Sequence, residues 1–295
     1  MLYDIRLHLH YDYAAAAGGS RHHVHVAPQT MSGVQRVVAS SLSFSPTPTE
    51  RSDFLDFFGN AVTSIALRGS YEALDVRMSA RVSVERPEPG LDVSPEIADL
   101  SGEISAVRSL SPQAPHHFIA ASDHVDLDAG ITAYARESLV RDSSVTGVAT
   151  DFCNRIYNDF AYDGEATTVA TKAADAFALR RGVCQDFTHV MIAGLRGLGI
   201  PAGYVSGFLR TIPPPGKERL EGADAMHAWV RFWCGRINGW MELDPTNDIP
   251  AGSDHIVVAY GRDYSDVAPV IGILKGYGSH DTKQAVDVIP VKQAA

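Results

Sequence analysis

The chain has 295 residues, of which 45% are hydrophobic and 20% are charged, a composition typical of a globular protein with a sizeable core. Its formal net charge of -10 at pH 7 argues against nucleic acid or an anionic membrane as the main partner, because both attract basic surfaces. No run of apolar residues is long enough for a transmembrane helix, and the N-terminus lacks the apolar core of a signal peptide. The three cysteines are too few for a disulfide framework, so we expect reduced thiols and a cytoplasmic protein.

The first 90 residues are predicted to form an antiparallel β domain, either a sandwich or a barrel. In "LYDIRLHLHYDY" the residues alternate, with Ile5, Leu7 and Leu9 on one face of a strand. Four more segments of strand character follow, "RHHVHVAP", "QRVVASSLSFSP", "NAVTSIALRG" and "LDVRMSARVSVE", with the turn signals "GGS", "PTPTE" and "FFGN" between them. Short strands at this spacing are typical of sandwiches and barrels.

Residues 91–295 are predicted to form a second, α+β domain. The prolines and glycine of "ERPEPG" indicate a boundary near residue 90, and residues 91–125 have no clear period, so we assign them only as a linker or as uncertain. Helical patterns follow in "DAGITAYARESLV", "TGVATDFCNRIYNDFAY" and "TKAADAFALRRG". Strand patterns come last, in "AGYVSGFLR", "AMHAWVRFW", "GWMELDP", "HIVVAYG" and "AVDVIPV". Helices followed by strands indicate an α+β domain.

The segment "RRGVCQDFTHVMIAGLRGLGIPAG" predicts a helix that begins at Cys184 and ends near Leu198, with Gly199 as the C-cap. The helix is apolar nearly all round, so we expect it to be buried. At its first residue, the free backbone N–H groups and the helix dipole favour a thiolate at Cys184, which could then act as a nucleophile. The alternative is that Cys184 is a small buried residue, and Asp186 adds a negative charge that opposes the thiolate.

A thiol nucleophile needs a base, and His227 is the better candidate. His189 follows Cys184 by five residues on the same helix and therefore points about 140° away from it. In "DAMHAWVRFWC" the residues alternate, so that His227 shares the polar face of a strand with Arg231, whereas Cys234 lies on the apolar face. The alternative is a structural histidine.

The base in turn needs an orienting group. The next strand, "GWMELD", ends at Asp244, and Pro245 holds that residue extended. A hairpin between the two strands would bring the Asp244 carboxylate beside His227, with Glu242 as the fallback. A cysteine on a helix N-terminus, a histidine on a strand and an aspartate at the end of the next strand form the arrangement of a thiol acyl-transfer enzyme.

These segments resemble the bacterial transglutaminase-like family, whose members are often described as candidate cysteine proteases. The likeness lies in "GVCQDFTHVMIAGLRGLGIPAGYVSGFL", "DAMHAWVRFW" and "GWMELDPTND", and "HIVVAYGRDYSDVAPV" is similar to the family's C-terminal segment. The early "HVHVAPQT", "SFSPTP" and "DFFGNAV" are similar to its N-terminal β domain. The resemblance implies a papain-like α+β core, with Cys184 as the nucleophile, His227 as the base and Asp244 as the orienting group.

The resemblance also implies hydrolysis of a peptide or amide bond through a thioester, with no cofactor and no metal. The substrate would be a peptide, a protein or another amide, with neither nucleic acid nor membrane as a partner. Two alternatives remain open: a transglutaminase that cross-links or deamidates proteins, and a catalytically silent binding scaffold of the same fold.

A metal site is the weaker interpretation of the histidines in the first strands. His8 and His10 share one face, as do His23 and His25, with His22 adjacent. No cysteine or carboxylate spacing supports a metal there, so we expect these histidines to lie on a solvated strand face.

Overall fold

The computed structural model describes residues 1–87, 90–212, 222, 224–275 and 279–291. The strands are, in chain order, β1 (Leu2–Val24), β2 (Gln35–Ser45), β3 (Glu50–Leu55), β4 (Ala61–Val84), β5 (Ala161–Tyr162), β6 (Arg181–Gly182), β7 (Ala202–Leu209), β8 (Ala225–Trp233), β9 (Trp240–Asp244), β10 (Ile249–Pro250), β11 (His255–Gly261), β12 (Val270–Lys275) and β13 (His280–Pro290). The α-helices are α1 (Ile97–Ala106), α2 (Ala129–Arg136), α3 (Val145–Asp159), α4 (Ala173–Leu179), α5 (Cys184–Gly197), α6 (Gly235–Asn238) and α7 (Tyr264–Val267). Two 3-10 helices span Pro115–Phe118 and Glu137–Val140.

Two long strands, β1 and β4, form the centre of the first sheet, where four short strands were expected. They pair antiparallel from Leu2, opposite Ser83, to Val24, opposite Thr63. The expected turn at "GGS" is wrong, because Gly19 takes a φ of 59° inside an irregular stretch of β1 and the strand then continues. Only glycine adopts such a backbone conformation at low cost, and here it makes a bulge that bends the strand.

The last strands of the chain complete this first sheet. β13 pairs with the first half of β1, and β12 pairs with its second half, so that the sheet is antiparallel and has six strands. The predicted strand "AVDVIPV" therefore lies in the first sheet. The boundary near residue 90 stays a prediction, and residues 88–89 of the boundary segment "ERPEPG" lie outside the described residues. The predicted α+β fold, with an antiparallel β region before an α+β core, is confirmed.

The second sheet is antiparallel, in the order β10-β9-β8-β7-β11, and carries α5 on one face. Helix α5 is buried along almost its whole length, as its apolar circumference predicts. Its large side chains contact the sheet and helices α2, α3 and α4. This packing fixes the first residue of α5 relative to the ends of β8 and β9.

The N-terminal region covers the outer edge of β11 with two amide side chains. Gln35 donates to the carbonyl of Val257 at 2.7 Å and accepts from its N–H at 2.8 Å. Asn60 does the same at Tyr260, at 2.7 Å for both bonds. The two amides thus take the place of a neighbouring strand, because they satisfy backbone groups that an edge strand would otherwise leave unpaired.

Within the described residues, no helix has both the length and the apolar character needed to cross a membrane. The cytoplasmic location stays a prediction.

Candidate active site

Cys184 is the first residue of α5, as the sequence predicts, and its side chain is partly exposed. Strand β6, which lies parallel to β5, ends at Gly182, and Val183 separates it from the cysteine. Behind this turn, the Asp186 carboxylate accepts hydrogen bonds from the Val183 N–H at 2.8 Å and from the Thr167 hydroxyl at 2.6 Å. A Cβ on Gly182 would lie 2.4 Å from the Asp186 carboxylate, so only glycine fits at this position, two residues before Cys184.

The Asp186 carboxylate, which we expected to oppose a thiolate, is buried. Burial raises the pKa of Asp186, although its hydrogen bonds with Thr167 and Val183 act in the other direction. The carboxylate is therefore tied to the turn that positions Cys184 and does not face solvent beside the thiol.

His227 joins Cys184 to Asp244. Its Nε2 lies 2.7 Å from Oδ2 of Asp244, and the Cys184 side chain lies within hydrogen-bonding reach of the same imidazole. Because Nε2 is bonded to the carboxylate, Nδ1 is the nitrogen that remains for the thiol. The structure thus brings together the three side chains that the sequence selected from α5, β8 and the end of β9.

Asp244 is fully buried and accepts four hydrogen bonds. Besides His227, Oδ2 accepts from Nδ2 of Asn247 at 2.7 Å and from Nε2 of His255 at 3.2 Å, and Oδ1 accepts from the Thr246 N–H at 2.9 Å. Burial raises the pKa of Asp244, but the hydrogen bonds from His227, His255 and Asn247 outweigh it and hold the pKa below its usual range. Asp244 is therefore a carboxylate at neutral pH.

The sequence did not indicate His255. It is buried at the start of β11, where its Nδ1 accepts a hydrogen bond from the Gly252 N–H at 3.2 Å. Because Nδ1 is an acceptor, the proton of a neutral imidazole sits on Nε2 and is donated to Asp244. His255 therefore helps to hold the carboxylate in place and in its ionised form.

The same contacts keep His227 charged. Burial lowers the pKa of His227, but its hydrogen bonds with Asp244 and Cys184 outweigh burial and raise the pKa to about 10. At neutral pH the imidazole is therefore protonated, and an imidazolium beside a thiol stabilises the thiolate.

Comparisons with known proteins match both parts of the chain. Residues 3–83 match the family described as the bacterial transglutaminase-like N-terminal region, and residues 132–245 match the transglutaminase-like superfamily. An uncharacterised protein of Mycobacterium tuberculosis is 36% identical over 269 residues, which cover 87% of this chain and 82% of that protein. The chain belongs to the transglutaminase-like superfamily.

A second relative and a solved structure extend the likeness of this transglutaminase-like protein. An uncharacterised protein of Mycobacterium leprae is 28% identical over 288 residues, covering 94% of this chain and 95% of that protein. The crystal structure of a candidate cysteine protease from Cytophaga hutchinsonii has a TM-score of 0.75 at 21% identity, and the match covers all of this chain and 92% of the other. At that identity the crystal structure supports the fold alone, here over both parts of the chain.

The remaining candidates of the transglutaminase-like protein lie away from the thiol or have other partners. His189 is fully buried, stacks on His124 at 5.2 Å and accepts a hydrogen bond from the Tyr264 N–H at 3.2 Å. Glu242, the fallback for Asp244, accepts instead from Trp229, at 2.6 Å, and from two other side chains. Neither residue is bonded to His227 among the described contacts.

Two clusters of the described residues bring three possible metal ligands within 4.8 Å of one another. One is His227, Asp244 and His255, whose ligand atoms already form the hydrogen bonds given above. The other is His8, His10 and Asp75, where Asp75 on β4 supplies a carboxylate that the sequence spacing did not indicate. The Arg77 guanidinium donates to the same Asp75 oxygen at 3.2 Å, and this positive charge disfavours a cation there.

Proposed function

We propose that this protein is a thiol-dependent acyl-transfer enzyme that hydrolyses a peptide or amide bond. The observation that carries the proposal is the 2.7 Å bond from the His227 imidazole to the buried Asp244 carboxylate, with the Cys184 side chain within hydrogen-bonding reach of the same imidazole. In these roles Cys184 is the nucleophile, His227 is the base and acid, and Asp244 orients the imidazole and stabilises its positive charge.

The first half of the reaction forms a thioester. The thiolate of Cys184 attacks the carbonyl carbon of the substrate, and the carbonyl oxygen takes up negative charge. The backbone N–H of Cys184 is suited to stabilise that oxygen, because the first N–H groups of a helix have no partner within the helix. The C–N bond then breaks, and the amine leaves with a proton from the His227 imidazolium.

The second half of the reaction releases the acid. The neutral His227 accepts a proton from water as the water oxygen attacks the thioester carbon. The C–S bond breaks, the carboxylic acid leaves, and the thiolate and imidazolium are restored. Asp244 stays ionised throughout, because its other hydrogen bonds hold it in that form. The cycle uses no cofactor or metal.

We further propose a peptide, a protein or another amide as the substrate, and neither nucleic acid nor a membrane as a partner. The net charge of -10 supports the second part of this proposal. The Cytophaga protein, which shares the fold, is described as a candidate cysteine protease, and hydrolysis is consistent with that description.

The test is a panel of fluorogenic peptide amides and esters, incubated with the full chain in the presence and absence of a fluorescent primary amine. We expect turnover to carboxylic acid, which Cys184→Ala abolishes while the circular dichroism spectrum stays unchanged. The matched control is Cys234→Ala, which removes a buried thiol directly after β8 and should keep the activity.

Each other outcome contradicts the proposal in a specific way. Incorporation of the amine in preference to hydrolysis would make the enzyme a cross-linking transglutaminase, and turnover confined to glutamine side chains would make it a deamidase. Turnover that persists in Cys184→Ala would move the chemistry elsewhere. No turnover of any substrate, with protein partners still captured by Cys184→Ser, would favour the silent scaffold.

A further inference from the structure

A cavity outside the triad lies between the N-terminal region and the sheet that carries His227 and Asp244. Its volume is about 560 Å³, which is within the range of small-molecule sites. It is lined on one side by residues of the N-terminal region, among them Met31, Leu55 and Phe58, and on the other by Gln113, Arg231, Trp240, Glu242 and Tyr260. Neither the proposed reaction nor the similarity to known proteins gives this cavity a role.

Arg231 is the unusual group in the cavity wall. Its side chain is only 2% exposed, and its guanidinium carbon lies 3.9 Å from the centre of the Trp240 ring and 4.4 Å from that of Tyr260. One NH2 group donates to the Gln113 side-chain oxygen at 2.6 Å. The Nε has no hydrogen-bond partner in the described part of the chain, although such buried donors are nearly always paired.

The charges around Arg231 do not balance. Glu242 lies directly opposite it on β9, but the Glu242 carboxylate accepts from Arg86 at 2.8 Å, from Trp229 at 2.6 Å and from Tyr260 at 2.9 Å. Among the described residues, the guanidinium groups of Arg86 and Arg231 thus have one carboxylate between them, and a single positive charge is left over. Burial lowers the pKa of Arg231 to about 10, so the guanidinium stays charged at neutral pH.

We propose that this cavity binds a small organic monocarboxylate, with its carboxylate on Arg231 and its apolar part against the aromatic wall. A guanidinium matches a carboxylate in shape and charge. A single negative charge balances the one that is left over, whereas a dianion would also meet Glu242. Aromatic and aliphatic side chains of the wall, among them Met31, Phe58 and Trp240, suit an apolar body.

The site is separate from the triad, yet it lies on the same strand. Arg231 follows His227 by four residues on β8, about 13 Å along the strand. Between them lies Trp229, whose ring stacks on His227 at 6.1 Å and whose Nε1 donates to Glu242. The monocarboxylate would thus be an accessory ligand and not the reacting part of the substrate.

The experiment is isothermal titration calorimetry of the full chain at pH 7 with three probes of similar shape: benzoate, benzamide and phenylphosphate. We expect saturable binding of benzoate, binding at least about tenfold weaker for the neutral benzamide, and weaker binding for the phosphate. Arg231→Met should weaken benzoate binding at least about tenfold. The matched control, Arg210→Met, removes a guanidinium that pairs with Asp254 in another cavity and should bind benzoate as the wild type does.

Arg231→Met is expected to fold, because an apolar side chain of similar length often replaces a buried charge without loss of stability. If it does not fold, the comparison of benzoate with benzamide on the wild-type chain decides. Equal binding of these two, no saturable benzoate binding, or tighter binding of phenylphosphate would each overturn the proposal. Benzoate contains no amide bond, so its binding is independent of the proposed hydrolysis, and the benzamide titration is repeated with Cys184→Ala, which cannot turn the amide over.

Discussion

Replacement of Asp244 by asparagine tests the triad without knowledge of the substrate. The change keeps the shape of the side chain but removes the charge that stabilises the His227 imidazolium. The pKa of His227 is raised from 6.5 to about 10, which corresponds to about 5 kcal/mol in favour of the charged imidazole, shared between Asp244 and the Cys184 thiol. If Asp244 supplies about half of this preference, its loss shifts the equilibrium between the thiolate–imidazolium pair and the neutral pair about 30- to 100-fold toward the neutral pair, so alkylation of Cys184 should slow by up to that factor at pH 7.

The assay is the rate at which iodoacetamide alkylates Cys184, followed by mass spectrometry of the intact protein and of its peptides. The matched control is Asp75→Asn, which removes a carboxylate that bonds two histidines, His8 and His10, in the first sheet. That variant should alkylate at the wild-type rate. A folded Asp244→Asn variant that reacts within about twofold of the wild type would refute the reasoning, because the imidazolium would then not depend on Asp244.

Three further predictions follow from the same geometry. Because the pKa of His227 is raised, its proton is held at neutral pH and lost as the pH rises through about 10, so the rate of amide hydrolysis should fall there. Alkylation of Cys184 needs no acid and should not fall, and a parallel decline of both rates would contradict the acid role. Burial raises the pKa of Cys153 beyond the usual range and that of Cys234 to about 12, so both should be alkylated more slowly than the partly exposed Cys184 at pH 7. Peptide mapping that finds Cys153 or Cys234 alkylated faster than Cys184 would count against the nucleophile assignment. Gly182→Ala should lower the free energy of unfolding by about 1–3 kcal/mol, because the new Cβ would lie 2.4 Å from Asp186, whereas Gly164→Ala has open space around its Cβ and should not. Equal stability of the two variants in chemical denaturation would argue against the close approach at Gly182.

The sequence predicted the elements of the site better than the partners that surround it. Helix α5 begins at Cys184 as expected, because an apolar circumference, a glycine turn and a C-terminal glycine are all local signals. The three side chains could be matched because the helix start places Cys184, strand alternation assigns His227 to a face of β8, and Asp244 ends β9. Their catalytic roles stay predictions.

What local patterns could not predict depends on contacts between distant segments. His255 begins an apolar strand, and nothing near it in sequence indicates that its ring would reach Asp244, 11 residues earlier. The only sign of it in the sequence was a polar residue at the start of an apolar strand. In the same way, the periodicity of β13 predicts a strand but does not predict that it pairs with β1. The glycines of "GGS" are equally consistent with a turn and with a bulge.

The pairing of β1 with β13 has a consequence for how the chain folds during synthesis. β1 lies between β4 and β13, and its Tyr3 is opposite Pro290. At about 5–20 residues per second, β13 leaves the ribosome on the order of 15–60 s after β1. Until then, one edge of β1 has unpaired backbone groups and its sheet is incomplete. A nascent chain that is stalled before β13 should therefore depend on chaperones, whereas the released chain should not.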